Sequence, residues 1–179
     1  LRLLDEIGLD VAAEVAKILA EAYGTRMQGP LLAKAMVELQ RFGKKSARGF
    51  YNYQGEKAEV DSQVYQLLNL SDVKPVPEDQ KEIFSDRLIL PMVAEAIRCL
   101  DENVAGIKSK EAAGQIDLAS VMGTGFAPFR GGILFYADRI GAENLKARML
   151  LLQERFGHIY GPPDGVLNRA EQKDSSFLS

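Results

Sequence analysis

The chain has 179 residues, 46% of them hydrophobic and 26% charged, enough apolar residues for a core and enough charge for solubility. Its 22 basic and 25 acidic residues leave a net charge of −3, which argues against broad nucleic-acid binding. The single cysteine, Cys99, excludes an internal disulfide and any cysteine-rich metal site, and no apolar run approaches the ~20 residues of a membrane span.

The predicted elements are almost all helical. Asp10 is placed to cap a helix over 10–23, with Val11, Val15, Ile18, Leu19 and Ala22 on one face and Gly24 as its stop. Pro30 opens a second helix whose apolar stripe is Leu31, Leu32, Ala35, Met36 and Leu39. The segment from Arg41 to Tyr53 carries two glycines and alternating aromatics, which suits a loop ending in a short extended piece. Residues 54–60 read as exposed connector, and a short helix over 62–70 turns Val64, Leu67 and Leu68 inward. Pro75 and Pro77 mark a linker over 71–79. The longest helix follows, over 78–103; nearly apolar all round, it is expected to be buried on several sides, with Pro91 kinking it.

Ser109 caps the next helix, in which Ala112, Ala113, Ile116 and Ala119 pack. The stretch from Gly123 to Gly132 reads as a rigid turn between helices. A dinucleotide loop would have to follow a strand, and Pro128 and Phe129 fill its middle. A short helix covers 133–140, and another carries Leu145, Met149, Leu152 and Phe156 at helical spacing. Pro162 and Pro163 open a last helix, and the tail is expected to fray after Gln172. With no clean strand alternation, the fold class is all-α.

A repeat organises these elements. Leu4-Asp5-Glu6-Ile7-Gly8 returns as Ala137-Asp138-Arg139-Ile140-Gly141, 133 residues later, and Gly29-Pro30 returns as Gly161-Pro162 after 132. The second copy has the long helix and the Gly-rich turn before it, and the first has nothing. The expectation is a chain that begins inside its first unit.

Residues with reactive side chains are few. His158 is the only histidine, with no acidic neighbour within three residues, and suits a helix C-terminus better than acid–base catalysis. Glu95 and Arg98, three apart on the long helix, read as a structural ion pair, and Cys99 as a small core residue. No spacing suits a metal. Lys44, Lys45 and Arg48, with Phe50, Tyr51 and Tyr53, form a basic-aromatic patch; a solvated loop with its aromatics on the core is favoured over an anion or nucleic-acid site. Read alone, these residues describe a helical binding or assembly module with no catalytic or metal site.

The order of motifs is more specific. Leu4-Asp5-Glu6-Ile7-Gly8 followed by Arg41-Phe42-Gly43-Lys44-Lys45-Ser46-x-Arg48-Gly49-Phe50-Tyr51 resembles the end of a 3-hydroxyacyl-CoA dehydrogenase C-terminal domain. Arg87-Leu88-Ile89-Leu90-Pro91-Met92-Val93, then Asp117, then Gly123-x-Gly125-Phe126-x-Pro128-Phe129-x-Gly131-Gly132, resembles a second such domain. The resemblance covers essentially the whole chain. It implies tandem helical repeats of the 6-phosphogluconate dehydrogenase C-terminal-domain-like fold: a first, truncated domain over 1–60, a linker with a short helix over 61–79, and a second domain over 80–179.

It further implies a parent enzyme of fatty-acid β-oxidation with enoyl-CoA hydratase and NAD-binding Rossmann domains ahead of these repeats, and a thiolase subunit as partner. In the family a histidine held by a glutamate takes the hydroxyl proton, and an Asn-Arg pair on the first helix of the first C-terminal domain assists. None of these falls within this chain. The second-copy counterpart of that pair is Asp86-Arg87, so the asparagine's role does not carry over. The resemblance thus implies no catalytic, cofactor-binding or metal residue here. It leaves Lys44, Lys45 and Arg48 as the candidates for the rim of the acyl-CoA cleft. It also implies self-association through helical faces, no nucleic acid and no membrane span. The location implied is the bacterial cytoplasm, with the mitochondrial matrix as the alternative. An independent helical interaction module stands as the competing reading.

Overall fold

The computed structural model describes residues 1–27, 32–67, 74–107, 109–172 and 176–178. They form two compact units, Leu1–Pro75 and Val76–Ser179.

In the first unit, α1 (Arg2–Ile7) and α2 (Leu9–Tyr23) meet at Gly8, whose φ of 108° ends one helix and starts the other. Gly8 thus takes the capping position and Asp10 lies in the first turn of α2. A 3-10 turn (Gly24–Met27) follows, then α3 (Leu32–Glu38), a second 3-10 turn (Lys44–Ser46), and an antiparallel hairpin of β1 (Tyr51–Gln54) and β2 (Lys57–Val60). Its register pairs Tyr51 with Val60 and Gln54 with Lys57. The segment expected to be connector is therefore a strand; Gly55, at φ 60°, makes the turn that lets the chain fold back. The helix α4 (Ser62–Leu67) buries Val64, while Leu67 is exposed. Gly29, Pro30, Leu31 and Leu68 lie outside the described residues.

The core of this unit is small: Leu9, Met36, Phe50 and Val64, with Leu32, Val37 and Tyr51 against it. The predicted stripe of α2 is present but turned outward. Val11, Val15 and Ile18 are about half exposed, at 45%, 48% and 55%. The inward turn of α2 is marked by Leu9 instead.

In the second unit, a 3-10 turn (Glu78–Gln80) leads into α5 (Lys81–Asp101), which runs through Pro91. The helices α6 (Lys110–Thr124), α7 (Ile133–Ile140), α8 (Ala142–Phe156) and α9 (Asp164–Glu171) follow, with 3-10 turns Pro128–Arg130 and His158–Tyr160 between them. Ser109 caps α6 by accepting the Ala112 N–H at 3.2 Å. The α5 helix buries Asp86, Leu90, Val93, Ala94, Ala96, Ile97 and Leu100, a single helical stripe. Phe84, Leu88 and Met92 on its other side are exposed, so in this chain it is not buried on several sides. Ala119 likewise faces solvent; Ala112, Ala113, Asp117 and Ser120 of α6 are buried, and Ile116 packs partly buried against the core.

The tail does not fray at 176–178. Phe177 is 1% exposed and belongs to the same core as Leu134, Leu145, Met149, Leu152 and Val166. The hairpin is the only sheet among the described residues, and the fold is otherwise all-α, as the sequence predicts.

Candidate functional site

The basic loop of the first unit stands on a buried polar clasp. Asp5, at the surface of neither α1 nor the loop, accepts N–H groups from Phe50 (2.9 Å) and Tyr51 (3.0 Å) and the Tyr53 hydroxyl (2.9 Å). Burial first, and the Asp5 carboxylate second, push the Tyr53 hydroxyl well above its ordinary range. Space beside Asp5 is tight enough to dictate sequence: a Cβ at Gly49 would lie 2.1 Å from Asp5 Oδ1. Arg41, also buried, donates from Nε and Nη2 to the Gly49 carbonyl at 2.9 and 2.8 Å, and pairs with buried Asp61. Burial alone would raise the Asp61 carboxyl. The Arg41 guanidinium and the Gln63 N–H outweigh it and hold the group below the usual carboxylate range.

From this platform Lys44, Lys45 and Arg48 diverge. Lys44 lies between Glu56 (2.8 Å) and Glu6 (3.1 Å), whose hydrogen bonds raise its pKa. Lys45 holds both oxygens of Asp10 (2.5 and 2.6 Å) and lowers that carboxyl's pKa. Among the described residues the Arg48 side chain bonds only a neutral group, the Gln63 Oε1 at 2.9 Å, and lines an open cavity of about 420 Å³ with Leu39, Gln66 and Leu67. The three cations are therefore not brought together. Two are neutralised by acids far away in sequence, and only Arg48 retains donors beside a cavity.

The same clasp recurs in the second unit, where the sequence reading missed it. Asp138, the repeat partner of Asp5, accepts the Ser176 hydroxyl (2.6 Å) and the Phe177 N–H (2.8 Å). Arg169 matches Arg41: it is buried, reaches the Ser176 carbonyl at 3.4 Å, and pairs with Asp101 at 3.2 Å. The signal was present in the paired Asp-x-Ile-Gly frames; what it lacked was the partner. A further buried carboxylate, Asp117, accepts the N–H groups of Leu134 (2.6 Å) and Phe135 (3.2 Å) and so caps α7, whose capping position is a glycine. Burial pushes the Asp117 carboxyl up in spite of these donors.

The remaining candidates lie in the second unit. His158 is exposed in its 3-10 turn. Glu95 and Arg98 form an ion pair at 3.3 Å, and Cys99 is half-buried. Asp86 is held by both nitrogens of the Arg148 fork, while the Arg87 guanidinium sits 4.0 Å from the Phe156 ring centre. No group of metal-ligating side chains occurs among the described residues. The turn at 123–132 follows a helix, not a strand, and contains the 3-10 turn Pro128–Arg130.

Two helical units, each closed by an Asp–Arg–Phe clasp, define the class. Residues 1–53 match the family model described as 3-hydroxyacyl-CoA dehydrogenase, C-terminal domain. Across both units it resembles the α subunits of fatty acid oxidation complexes. It is 38% identical over 168 residues to fatty acid oxidation complex subunit alpha of Vibrio campbellii, matching 94% of this chain and 23% of that protein. It is 41% identical over 169 residues to that of Vibrio cholerae, with the same shares. The chain thus spans about a quarter of the length of the curated relatives it matches. In fold it resembles 3-hydroxybutyryl-CoA dehydrogenase from Escherichia coli K12 (TM-score 0.66, 19% identity, 96% of this chain and 50% of that one). It also resembles the dehydrogenase part of multifunctional enzyme 1 from C. elegans (TM-score 0.58, 22% identity, 94% and 37%).

Proposed function

We infer that this chain is the helical C-terminal portion of a multifunctional β-oxidation enzyme. It supports the packing of the hydratase and NAD-dependent dehydrogenase domains and the closure of the acyl-CoA cleft, and is inactive alone. The observation that carries the reading is the clasp, built twice around the repeat positions Asp5 and Asp138. In each unit it joins the helix that carries the aspartate to a segment distant in sequence. Arg48 is the rim candidate the geometry favours, because Lys44 and Lys45 already serve as counter-ions. No described helix is long and apolar enough to cross a membrane, and the relatives are bacterial, which supports a cytoplasmic enzyme.

The test is NADH oxidation with acetoacetyl-CoA. The chain alone should show none, and a fusion to the hydratase and Rossmann domains of a relative should turn over. Robust turnover by the chain alone would overturn the reading. The exposed stripe Val11, Val15 and Ile18 favours a second reading, an interaction module that docks a partner helix or self-associates. Sedimentation shows which holds: a monomer with that stripe bare at high concentration would end it.

A further inference from the structure

The second unit contains a cavity of about 310 Å³ that the clasp and the basic loop do not use. Ile89 and Met92 of α5, Phe126 of the Gly-rich turn and Tyr136 of α7 line it, with the Ser85 hydroxyl at one side and Arg130 at the mouth. Its walls are held in place. Phe126 is buried, and its ring centre lies 5.9 Å from that of Tyr136, in a tilted contact. Its size falls at the lower end of ligand pockets, about 300 to 1,000 Å³, so an occupant would be small.

Arg130 is the informative residue. Arg98, Arg148 and Arg169 of the same unit each have a carboxylate partner, whereas Arg130 has none among the described residues. Instead its guanidinium lies 4.9 Å from the Tyr136 ring centre and 5.7 Å from that of Phe129. Two aromatic contacts hold the planar fork without consuming its in-plane N–H donors, which leaves them directed at an anion. An apolar recess with one positioned, unneutralised guanidinium at its entrance selects an amphiphile with an anionic end.

We propose that this cavity binds a medium-chain alkyl carboxylate, the chain against Ile89, Met92 and Phe126 and the carboxylate on Arg130. The proposal stands apart from the role assigned to the whole chain. Each methylene entering the recess adds about fourfold in affinity. The charge-assisted bond at the mouth contributes roughly tenfold or more.

Titration calorimetry of the full chain with octanoate, butyrate and octan-1-ol tests it. Octanoate should saturate a single site. Butyrate, with four fewer methylenes, should bind roughly 250-fold more weakly, and octan-1-ol roughly tenfold more weakly. Arg130→Ala, a change at an exposed side chain, should lower octanoate affinity about tenfold and leave octan-1-ol unchanged. Ala127→Leu should weaken both by filling the recess, with circular dichroism confirming the fold. Absence of saturable octanoate binding by the folded chain would overturn the proposal. So would equal binding of octanoate and octan-1-ol, or an Arg130→Ala variant that keeps full affinity.

Discussion

Replacing Phe177 by alanine should destabilise the second unit far more than its place near the chain end suggests. The side chain is 1% exposed, its ring centre lies 4.9 Å from the Arg169 guanidinium, and its N–H is bonded to Asp138. Truncating a buried phenylalanine removes its transfer free energy and leaves a cavity, about 3–5 kcal/mol together. Phe177 lies outside any helix or strand, so the backbone there can partly collapse into the space, and the lower figure, about 3 kcal/mol, is the expectation. For a unit of roughly a hundred residues this lowers the melting temperature by about 12–24 °C. Phe177→Leu, which refills most of the volume, should cost less than about 1.5 kcal/mol. Truncation after Gln172 should cost at least as much as the alanine, since it also removes the partners of Asp138 and Arg169. Calorimetric melting of the three variants decides it. If Phe177→Ala melts within about 2 °C of the parent chain, Phe177 is not a core residue and the second clasp does not close the unit.

Two glycines should respond to alanine with opposite signs. At Gly49 the new Cβ meets Asp5 Oδ1 at 2.1 Å, so the clasp must open at a cost of several kcal/mol, whereas Gly114 on α6 has nothing within 4 Å and should gain about 1 kcal/mol. Urea midpoints of the two variants measure both. The depressed Asp61 carboxyl releases its proton more readily in the folded chain than in the unfolded one. Its stabilisation is therefore present above the unfolded value, near ~3.9, and lost as the pH falls below it. The urea midpoint should drop between about pH 4 and pH 3, and the drop should shrink in the double variant Arg41→Met, Asp61→Leu. Ser109→Ala removes the acceptor for the Ala112 N–H and should cost about 1 kcal/mol, read from the same denaturation.

Local chemistry was legible in the chain; pairing across it was not. Ser109 as a cap, the 3-10 turn at Pro128–Arg130 and the α8 stripe Leu145, Met149 and Leu152 all follow from spacing within one turn or two. The hairpin was not, because strands of four residues are too short for alternation to distinguish them from a loop. The ion pairs of two rim candidates were hidden for a related reason. Lys44 and Lys45 are occupied by Glu6 and Asp10, partners 38 and 35 residues away, and a sequence window contains no sign of them. The outward turn of Val11, Val15 and Ile18 shows the limit of periodicity: it identifies an apolar face but not whether this chain supplies its cover.

The clasp also orders the birth of the two units. The first closes once Phe50, Tyr53 and Asp61 have joined Asp5 and Arg41, with the second unit still to be made. The second cannot close until Ser176 and Phe177 exist, because Asp138 and Arg169 wait for them. The first unit can therefore fold during synthesis. The second must hold its core open until Ser176 and Phe177 have been made, and that interval is when α5 and α8 are most exposed to chaperones and to misassembly.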